Sequence, residues 1–419
     1  RGLEKIWEEI EKPLMSIVDE MKEFGIKIDK AYLEKLGLEY RKELEALEKS
    51  VWRLADTEFN IASPKQLSEI LYVKLGLKTK GQKKTAGGAL STKESELEKL
   101  AGEHPIIDEI LKYRELAKLL GTYIDAIPKL LDENSRIHPT FIQSGSTTGR
   151  MATENPSIQN IPNKSELGRR IRNAFIAEKG WKIVSFDYSQ IELRIAAFLS
   201  GDRKLIDIFQ KGEDVHAAVA SQVFGVPTDR VTRDMRRQAK VINFGVMYGM
   251  GVSALRANLG TDRATAQKFY NEYFEKFSGL RDYLERVKME TAQRGYTETY
   301  FGRRRYFEGI KSKLPFVRSS AERMAINAPI QGTEADIAKL AMIRIDEYIK
   351  REKLERDVHM LMQVHDEIVC EARENVVKKI EPHIKKIMEG VILPKDIRGI
   401  TIVADAKAGD NWGEMETIR

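Results

Sequence analysis

The chain has 419 residues, 42% of them hydrophobic and 32% charged, and its 70 Lys and Arg residues exceed its 64 Asp and Glu residues by a net charge of +6. This composition excludes a disordered chain, a collagen and a disulfide scaffold, and at roughly 150 residues per domain the length predicts about three domains. The single cysteine, Cys370, cannot form an internal disulfide, which favours a reducing compartment.

No stretch of the sequence approaches the ~20 consecutive apolar residues that a membrane helix requires. The N-terminal residues Arg1 to Lys5 lack the apolar core of a signal peptide, and no Met precedes them. We therefore expect a soluble intracellular protein that makes no membrane contact, and a chain that is a fragment or a processed product of a longer one.

The N-terminal third is predicted to be helical. Apolar residues recur three and four positions apart from Leu33 to Val51, which favours helix across residues 1–55. A short helix is predicted from Ser63 to Leu71, and a longer helical stretch over 104–131. Between them, lysines lie among glycines from Leu77 to Ser91, which indicates a flexible basic loop or simply a solvated loop tip.

The middle of the chain changes from loop to strand to helix. From Phe141 to Pro162 it is rich in Ser, Thr, Gly, Asn and Pro, so extended or looped structure is expected. Lys182 to Asp187 is predicted to be a strand that leads into a helix near Ser189. Residues 202–294 are predicted to be largely helical.

Two strands joined by a tight turn are predicted between Met360 and Val369. A helix over 373–389 and a final strand from Ile400 to Ala404 follow. A helical N-terminal part, a mixed region, a helical insert and a return to strands together predict the α+β fold class.

Two aspartates lie where predicted strands end, Asp187 after the first strand and Asp366 in the turn between the later pair. A carboxylate at the end of a buried strand is costly unless it serves a cation or a partner. Two such carboxylates together would hold Mg²⁺, and a pair of Mg²⁺ ions is the recurrent solution for nucleotidyl transfer. Each aspartate alone is equally compatible with a capping or turn role, which stays open.

A basic helix is the more specific signal. Arg236, Lys240, Phe244 and Tyr248 follow one another at steps of four and so share one broad helix face, with Arg233 three residues earlier. Two cations one turn apart suit a polyphosphate, and the aromatic residues can stack on a base. The alternative is an ordinary solvated helix, although such a helix would mix more Glu among its Arg and Lys.

Asn327 and Gln331 form an amide pair four residues apart, after Arg323. Amides can pair with base edges in the minor groove without a sequence requirement, because every base pair offers acceptors there. By itself this pattern is a weak indication of DNA contact.

Several blocks of the sequence resemble the motifs of family A DNA polymerases, the bacterial DNA polymerase I group. Asp187 to Arg194 is similar to motif A, Arg236 to Gly249 to motif B, and Gln363 to Glu367 to motif C. Further matches, in the family's order, are Thr148 to Arg150, Ile158 to Pro162, Phe59 to Asn60, Ser63 to Leu67, and Asn411 to Trp412.

The resemblance implies a right-hand polymerase, with a palm of antiparallel sheet plus helices and with mostly helical fingers and thumb. The implied division is palm at 1–23, thumb at 24–130, palm with motif A at 131–195, fingers with motif B at 196–322, and palm with motif C at 323–419. The implied activity is that of a DNA-directed DNA polymerase of the EC 2.7.7.7 type, active in replication and repair. Its partners would be primed DNA template and dNTPs, and the implied protein is a cytoplasmic monomer, bacterial or phage-encoded, with an organellar origin left open.

The family's catalytic residues carry over onto matching positions. Asp187 and Asp366 would bind two Mg²⁺ ions, for which Mn²⁺ can substitute, with the Tyr188 backbone carbonyl assisting. Glu367 is the adjacent acid, and Lys240 completes the implied catalytic set.

The family's dNTP-binding residues lie on motifs A and B and on a helix between them. They correspond here to Arg236, Lys240, Phe244, Tyr248, His216, Gln190 and Glu192. Arg236 and Lys240 would hold the triphosphate, Phe244 would stack on the incoming nucleotide, and Glu192 resembles the steric gate that excludes a ribose 2′-hydroxyl.

The residues implied to contact DNA lie in all three parts of the hand. Near the new base pair they are Arg150, Asn327, Gln331 and His365. Arg323 would contact the DNA backbone, and Asn160 is a further residue implied to bind DNA. At the thumb tip they are Lys80, Lys83 and Lys84. Gln238 and the run Gly87 to Ala89 depart from the family pattern, which puts finger packing and thumb contacts in doubt but not the reaction.

Asp56 to Glu58 superficially matches the first motif of the family's 3′–5′ exonuclease. It lacks a preceding apolar strand and companion motifs, and it lies inside the thumb match, so we interpret it as coincidence. Polymerisation without proofreading is expected of this chain.

Three rival functions are distinguishable. A single-subunit RNA polymerase would not be expected to carry Glu192 with the Asp366–Glu367 pair. A non-catalytic DNA-binding or clamp-like protein would have lost Asp187, Asp366 or Lys240. A metal-dependent nuclease would have no use for a triphosphate-binding helix.

Overall fold

The structure, a computed structural model, describes residues 3–77, 83–85, 87–163 and 165–418. Its α-helices are α1 (Glu4–Ile6), α2 (Lys12–Phe24), α3 (Lys30–Ala55), α4 (Pro64–Ser68), α5 (Glu94–Leu97), α6 (Pro105–Leu119), α7 (Glu166–Arg172), α8 (Ile191–Ser200), α9 (Arg203–Gln210), α10 (Val215–Phe224), α11 (Arg233–Met247), α12 (Val252–Leu259), α13 (Arg263–Lys276), α14 (Ser278–Arg294), α15 (Pro315–Arg351) and α16 (Val377–Glu389). Its strands are β1 (Ile26–Lys27), β2 (Arg136–Ile137), β3 (Thr140–Ile142), β4 (Ala152–Glu154), β5 (Trp181–Tyr188), β6 (Tyr296–Glu298), β7 (Arg304–Tyr306), β8 (Val358–Val364), β9 (Glu367–Arg373), β10 (Ala404–Gly409) and β11 (Glu416–Thr417). Wider helical turns prolong the helices at Trp7–Glu11, Glu69–Lys74 and Leu120–Ile124.

A five-stranded antiparallel sheet, in the order β11-β10-β5-β9-β8, carries the acidic residues. Because side chains alternate along a strand, β5 places Val184 and Phe186 on one face and Ile183, Ser185 and Asp187 on the other. The predicted strand ending at Asp187 and the later pair of strands are therefore confirmed.

Helices cover both faces of this sheet. Val184 and Phe186 belong to a core shared with Ile337 of α15 and Ile384 of α16. Ile183, on the opposite face, belongs to a core that includes the N-terminal helix α3. The α+β class is confirmed.

The N-terminal helices contain a further core of their own. Its buried members all lie between Val51 and Ile110, so this body closes on a contiguous stretch of chain. Residues 202–294 are largely helical as expected, running from α9 to α14. Within the described ranges, no helix is both long and apolar enough to cross a bilayer.

The prediction of helix across residues 1–55 is only partly correct. The chain turns at Gly25, which has φ +70°, and then forms β1, paired with β2. A Cβ on Gly25 would lie 2.7 Å from the Ile137 carbonyl oxygen, so only glycine fits this close approach. Similarly, the helix predicted to reach residue 131 ends at Ile124.

The final strand predicted from Ile400 to Ala404 is wrong. Ile400 and Ile402 are buried in irregular chain, and the strand β10 begins at Ala404. Its true signal is the alternation of buried Ala404 and Ala406 with outward-facing Asp405 and Lys407. The isoleucines fill the core without taking part in the ladder.

Candidate active site

The acidic residues meet where β5 ends beside the β8–β9 turn. Asp187 stands in register with Glu367 on β9 and with Asp405 on β10. The Tyr188 N–H donates to the Asp366 carbonyl at 3.1 Å, and the side chains of Asp187 and Asp366 line the same cleft. The two aspartates predicted from sequence are thus brought together.

The electrostatics of this cluster are unfavourable for full ionisation. Burial, followed by the charges of Asp366 and Glu367, raises the pKa of Asp187, while Lys407 lowers it. Burial also raises the pKa of Asp366. Like charges held this close raise each other's pKa, and a bound cation would relieve their repulsion.

The donor set fits a magnesium ion that arrives with a substrate. Among the described residues, no group of three or more His, Cys, Asp or Glu side chains forms a metal cage by itself. Mg²⁺, however, is usually held by one or two carboxylates together with substrate phosphates and waters. Two repelling carboxylates that face an open cleft match that requirement.

Glu367 is held apart from this pair. Its Oε1 accepts a short hydrogen bond from Ser185 Oγ and another from Trp412 Nε1 at 3.2 Å. It lines a recess of about 660 Å³ on one side of the aspartates and does not line the cleft on the other side. The direct catalytic part expected of Glu367 remains a prediction.

The basic wall is built by α11. The residue before this helix, Thr232, caps it, because its side-chain hydroxyl accepts a hydrogen bond from the Met235 N–H at 3.2 Å. Arg236, Lys240, Phe244 and the helix-terminating Tyr248 all line one cleft of about 600 Å³, which Asp187 and Asp366 also line. The shared helix face is therefore confirmed. Arg236 Nε donates to Asp214 Oδ2 at 2.8 Å, and Lys240 is exposed.

His216 is buried at the side of this wall. Asn243 Nδ2 lies 3.1 Å from His216 Nδ1, and the His216 and Phe244 ring centroids are 5.7 Å apart. Burial lowers the pKa of His216 to about 4. The ring is therefore neutral near pH 7, and with Nδ1 accepting from Asn243, its Nε2–H is a donor. Gln190 lines the same cleft, with φ +55° just before α8.

Glu192 is buried on the first turn of α8 and is contacted from two sides. Arg150 Nη2 donates to its Oε1 at 2.8 Å, and the Tyr248 hydroxyl donates to its Oε2 at 2.9 Å. Predicted DNA-contacting and nucleotide-contacting residues thus form one network.

The other residues predicted to contact DNA are dispersed. His365 lines the cleft, and Asn327 Nδ2 donates to the Met247 carbonyl at 3.3 Å. Gln331 is half-buried on α15 and is near enough to Tyr248 to lower the pKa of its hydroxyl. Arg323 is exposed and lines a neighbouring cavity of about 960 Å³ that Tyr248 also lines. Asn160 is exposed outside the cleft, where its Nδ2 donates to Ser157 Oγ at 2.7 Å.

Two of the thumb-tip lysines, Lys83 and Lys84, do not line the cleft. Lys83 and Lys84 are exposed, and Lys80 lies outside the described residues. Gln238, a departure from the family pattern, donates to Asp234 Oδ2 at 2.6 Å on the surface of α11. Asp56 ends α3 and is not on a strand, in agreement with our interpretation of the exonuclease-like match as coincidence.

Two acidic residues of the cleft were missed from sequence. Asp405 lines the cleft from β10. It was missed because the strand was predicted to end at Ala404, so the alternation of buried and exposed residues from Ala404 onward was not recognised. Glu334 is buried on α15 and accepts a short hydrogen bond from Arg150. The signal for Glu334 was present, because it follows Asn327 and Gln331 at helical spacings of seven and three.

Comparison with known proteins agrees with this geometry. The model of DNA polymerase family A matches residues 30–414. The chain belongs to DNA polymerase family A.

Similar proteins include the thermostable DNA polymerase I of Thermus aquaticus, 45% identical over 97% of this chain, and the DNA polymerase I of Pseudomonas aeruginosa, 41% identical over 99%. The chain spans about half the length of these relatives, 48% and 45% respectively. The POL domain of Pol1 from M. smegmatis, solved in complex with DNA primer-template and dNTP, is similar with a TM-score of 0.89 and 36% identity, over 96% of this chain and 70% of that one. The fold is that of a right-hand polymerase.

Proposed function

We propose that this chain is a template-directed DNA polymerase that adds dNTPs to a primer 3′-hydroxyl, without 3′–5′ proofreading. The observation that carries the proposal is one cleft lined on one wall by Asp187 and Asp366 and on the other by Arg236 and Lys240. A triphosphate needs cations on its outer phosphates, and its reacting phosphorus needs metal-binding carboxylates. The primer-template and dNTP present in the similar M. smegmatis structure support the same partners here.

Asp187 and Asp366 would hold the divalent ions, Mg²⁺ or Mn²⁺, with the Tyr188 carbonyl beside them. When bound, two such ions activate the attacking oxygen and stabilise the leaving one. The protein's own share is to keep both carboxylates fixed by strand register and to keep His365 at φ +57° in the turn that presents Asp366.

The basic wall would bind and orient the nucleotide. Arg236 and Lys240 would take the outer phosphates, with the neutral His216 and with Gln190 as further donors. Phe244 would stack on the base, and Glu192 would occupy the space that a ribose 2′-hydroxyl requires. Closure of the α11 segment on a matching base pair would provide selectivity.

We keep the proposed subdomain boundaries of palm, thumb and fingers. The separate core between Val51 and Ile110 supports a thumb within 24–130. The monomeric state and the cytoplasmic location remain predictions from the sequence.

Primer extension with Mg²⁺ and single dNTPs tests the proposal. The parent chain should extend by the templated base, and Asp187→Ala should not. Asp410→Ala is the matched control, because Asp410 is an exposed carboxylate just beyond the far end of β10, paired with Lys182 at 2.7 Å. No extension by the parent, or full extension by Asp187→Ala, would overturn the mechanism, and equal use of rNTPs would favour an RNA polymerase.

A further inference from the structure

Arg150 is shared between two acidic side chains. One nitrogen, Nη2, donates to Glu192 Oε1 at 2.8 Å and also, by a shorter bond, to Glu334 Oε2. Only 3% of the Glu334 side chain and 10% of the Glu192 side chain are exposed. An acidic side chain this deeply buried is tolerated because a cation faces it, so Glu334 and Arg150 depend on each other.

The backbone around Arg150 is clamped to the helix that carries Glu334. Gly149 has φ +89°, and a Cβ there would lie 2.7 Å from the Arg303 side chain. A Cβ on Gly332 of α15 would lie 3.1 Å from the Thr148 carbonyl oxygen. The loop thus approaches α15 two residues before Glu334, and the contact is set by backbone packing as well as by charge.

The hydrogen bonds in this network are unequally distributed. Glu192 accepts from Arg150 and, at 2.9 and 3.1 Å, from the Tyr248 hydroxyl. Arg150 Nε is buried without a partner among the described residues. The guanidinium therefore does not form the two-pronged pair with Glu192 that arginine and carboxylate prefer. Donation of Nη2 to Glu334 holds it in this off-centre position.

We propose that Glu334 is a positioning residue that, by holding Arg150 off-centre, keeps the Glu192 carboxylate directed at Tyr248 and at the sugar of the incoming nucleotide. This inference rests on the proposed function, and it adds a residue on α15 to the determinants of sugar selection. Without the hydrogen bond to the Glu334 carboxyl group, Arg150 would turn to pair with Glu192 through two nitrogens. The Glu192 carboxylate would then move away from the Tyr248 hydroxyl and leave room for a 2′-hydroxyl.

The chain provides a matched control. Glu371 is also a buried glutamate paired with an arginine, Arg136 Nη2 at 2.9 Å, and it lies on β9 away from the cleft. Glu371→Gln makes the same substitution in the same kind of glutamate–arginine pair. A purely structural role for Glu334 predicts that the two variants behave alike.

The experiment is single-nucleotide incorporation by the parent chain, Glu334→Gln and Glu371→Gln, with kcat and KM determined for one dNTP and the matching rNTP. We expect Glu334→Gln to lower the preference for dNTP over rNTP by roughly tenfold or more, the effect of one charge-assisted hydrogen bond. Glu371→Gln should retain the parent's preference. Equal losses for both nucleotides in Glu334→Gln, with an unchanged ratio, would overturn the positioning role.

Two further variants cover the other outcomes. If circular dichroism shows that Glu334→Gln does not fold, Glu334→Asp keeps a carboxyl group on a shorter side chain. An unchanged preference for dNTP over rNTP in that variant would count against the proposal. In a double-mutant cycle with Arg150→Lys, adding Glu334→Gln should change the preference for dNTP over rNTP little. Additive effects of the two substitutions on that preference would contradict the coupling of Glu334 to Arg150. A parent chain that extends no primer would overturn the proposed function as a whole, whereas an active parent with an unaltered ratio in Glu334→Gln would overturn only the role of Glu334.

Discussion

The acidic and basic walls of the cleft differ in what compensates their charges. On the sheet, strand register holds Asp187 beside Glu367 and Asp405, and burial, followed by the charges of Asp366 and Glu367, raises the pKa of Asp187. On α11, Arg236 already has a counter-ion in Asp214, and Lys240 extends into solvent. The acidic wall is therefore incomplete without a cation from outside, while the basic wall is stable alone and can exchange a protein carboxylate for a phosphate.

The strongest test of this contrast is Asp187→Asn. Loss of a metal-binding carboxylate should reduce the rate of nucleotide incorporation by roughly 10³-fold or more. Because the substitution also removes repulsion, the melting temperature without metal should rise or stay the same. Incorporation assays beside thermal melts check both, with Asp410→Asn as the control. A variant that loses activity and stability together would indicate a structural role for Asp187.

The basic wall should respond differently. Lys240→Ala should lower kcat/KM for dNTP by about 10²-fold, the usual effect of removing one fixed donor to developing charge, with little change in melting temperature because the side chain is exposed. Arg236→Ala should show a smaller loss, since Asp214 competes for the same guanidinium. Steady-state kinetics of the two variants decide the order, and a larger loss for Arg236→Ala would contradict it.

The basic wall also contains a residue, His216, whose contribution to the free energy of unfolding depends on pH. Burial lowers its pKa to about 4, against about 6.5 in an unfolded chain, so between these values the unfolded state binds a proton that the folded state does not. Its stabilising contribution is complete above pH 6.5 and is lost as the pH falls toward 4, at most about 2 kcal/mol between pH 7 and 5.

Urea unfolding of the parent chain and His216→Gln at both pH values measures this contribution. The variant should lose less stability on acidification. His359, whose pKa burial also lowers to about 4, remains in both proteins and so cancels in the comparison. Identical losses would place the acid sensitivity elsewhere.

The smallest effect is expected at Lys83 and Lys84, which are exposed and do not line the cleft. Replacing Lys83 and Lys84 by Ala should weaken binding of primed duplex only a few-fold. It should also flatten the dependence of log affinity on log salt by about 1 to 2, the value for one or two lost phosphate contacts. Fluorescence anisotropy against salt concentration checks this, with Lys385→Ala on α16 as the control. An unchanged slope would mean that these lysines do not contact DNA.

Periodicity predicted the parts of the site that lie within one element. The face shared by Arg236, Lys240 and Phe244 follows from helix geometry alone, and the Asp187 strand follows from its apolar residues. The meeting of Asp187 with Asp366 depends on strand pairing across 179 positions, and the family resemblance rather than any local pattern indicated it.

What could not be predicted depends on contacts between distant segments. Arg150 and Glu334 are 184 positions apart, and no pattern in the sequence around either residue indicates that the two form a pair. Asp405 was missed because buried isoleucines outweighed a short alternation of small and polar residues. In both cases the determining interaction forms only when the fold is complete.

The contiguous core between Val51 and Ile110 has a consequence for biosynthesis. That body has all of its buried partners soon after it leaves the ribosome, whereas β5 must wait for β10, synthesised more than 200 residues later. Glu11 must wait longer still, 328 residues, for Lys339, with which it pairs at 2.7 Å. During translation the first body is expected to fold early, while β5 and Glu11 lack these partners until the later segments emerge.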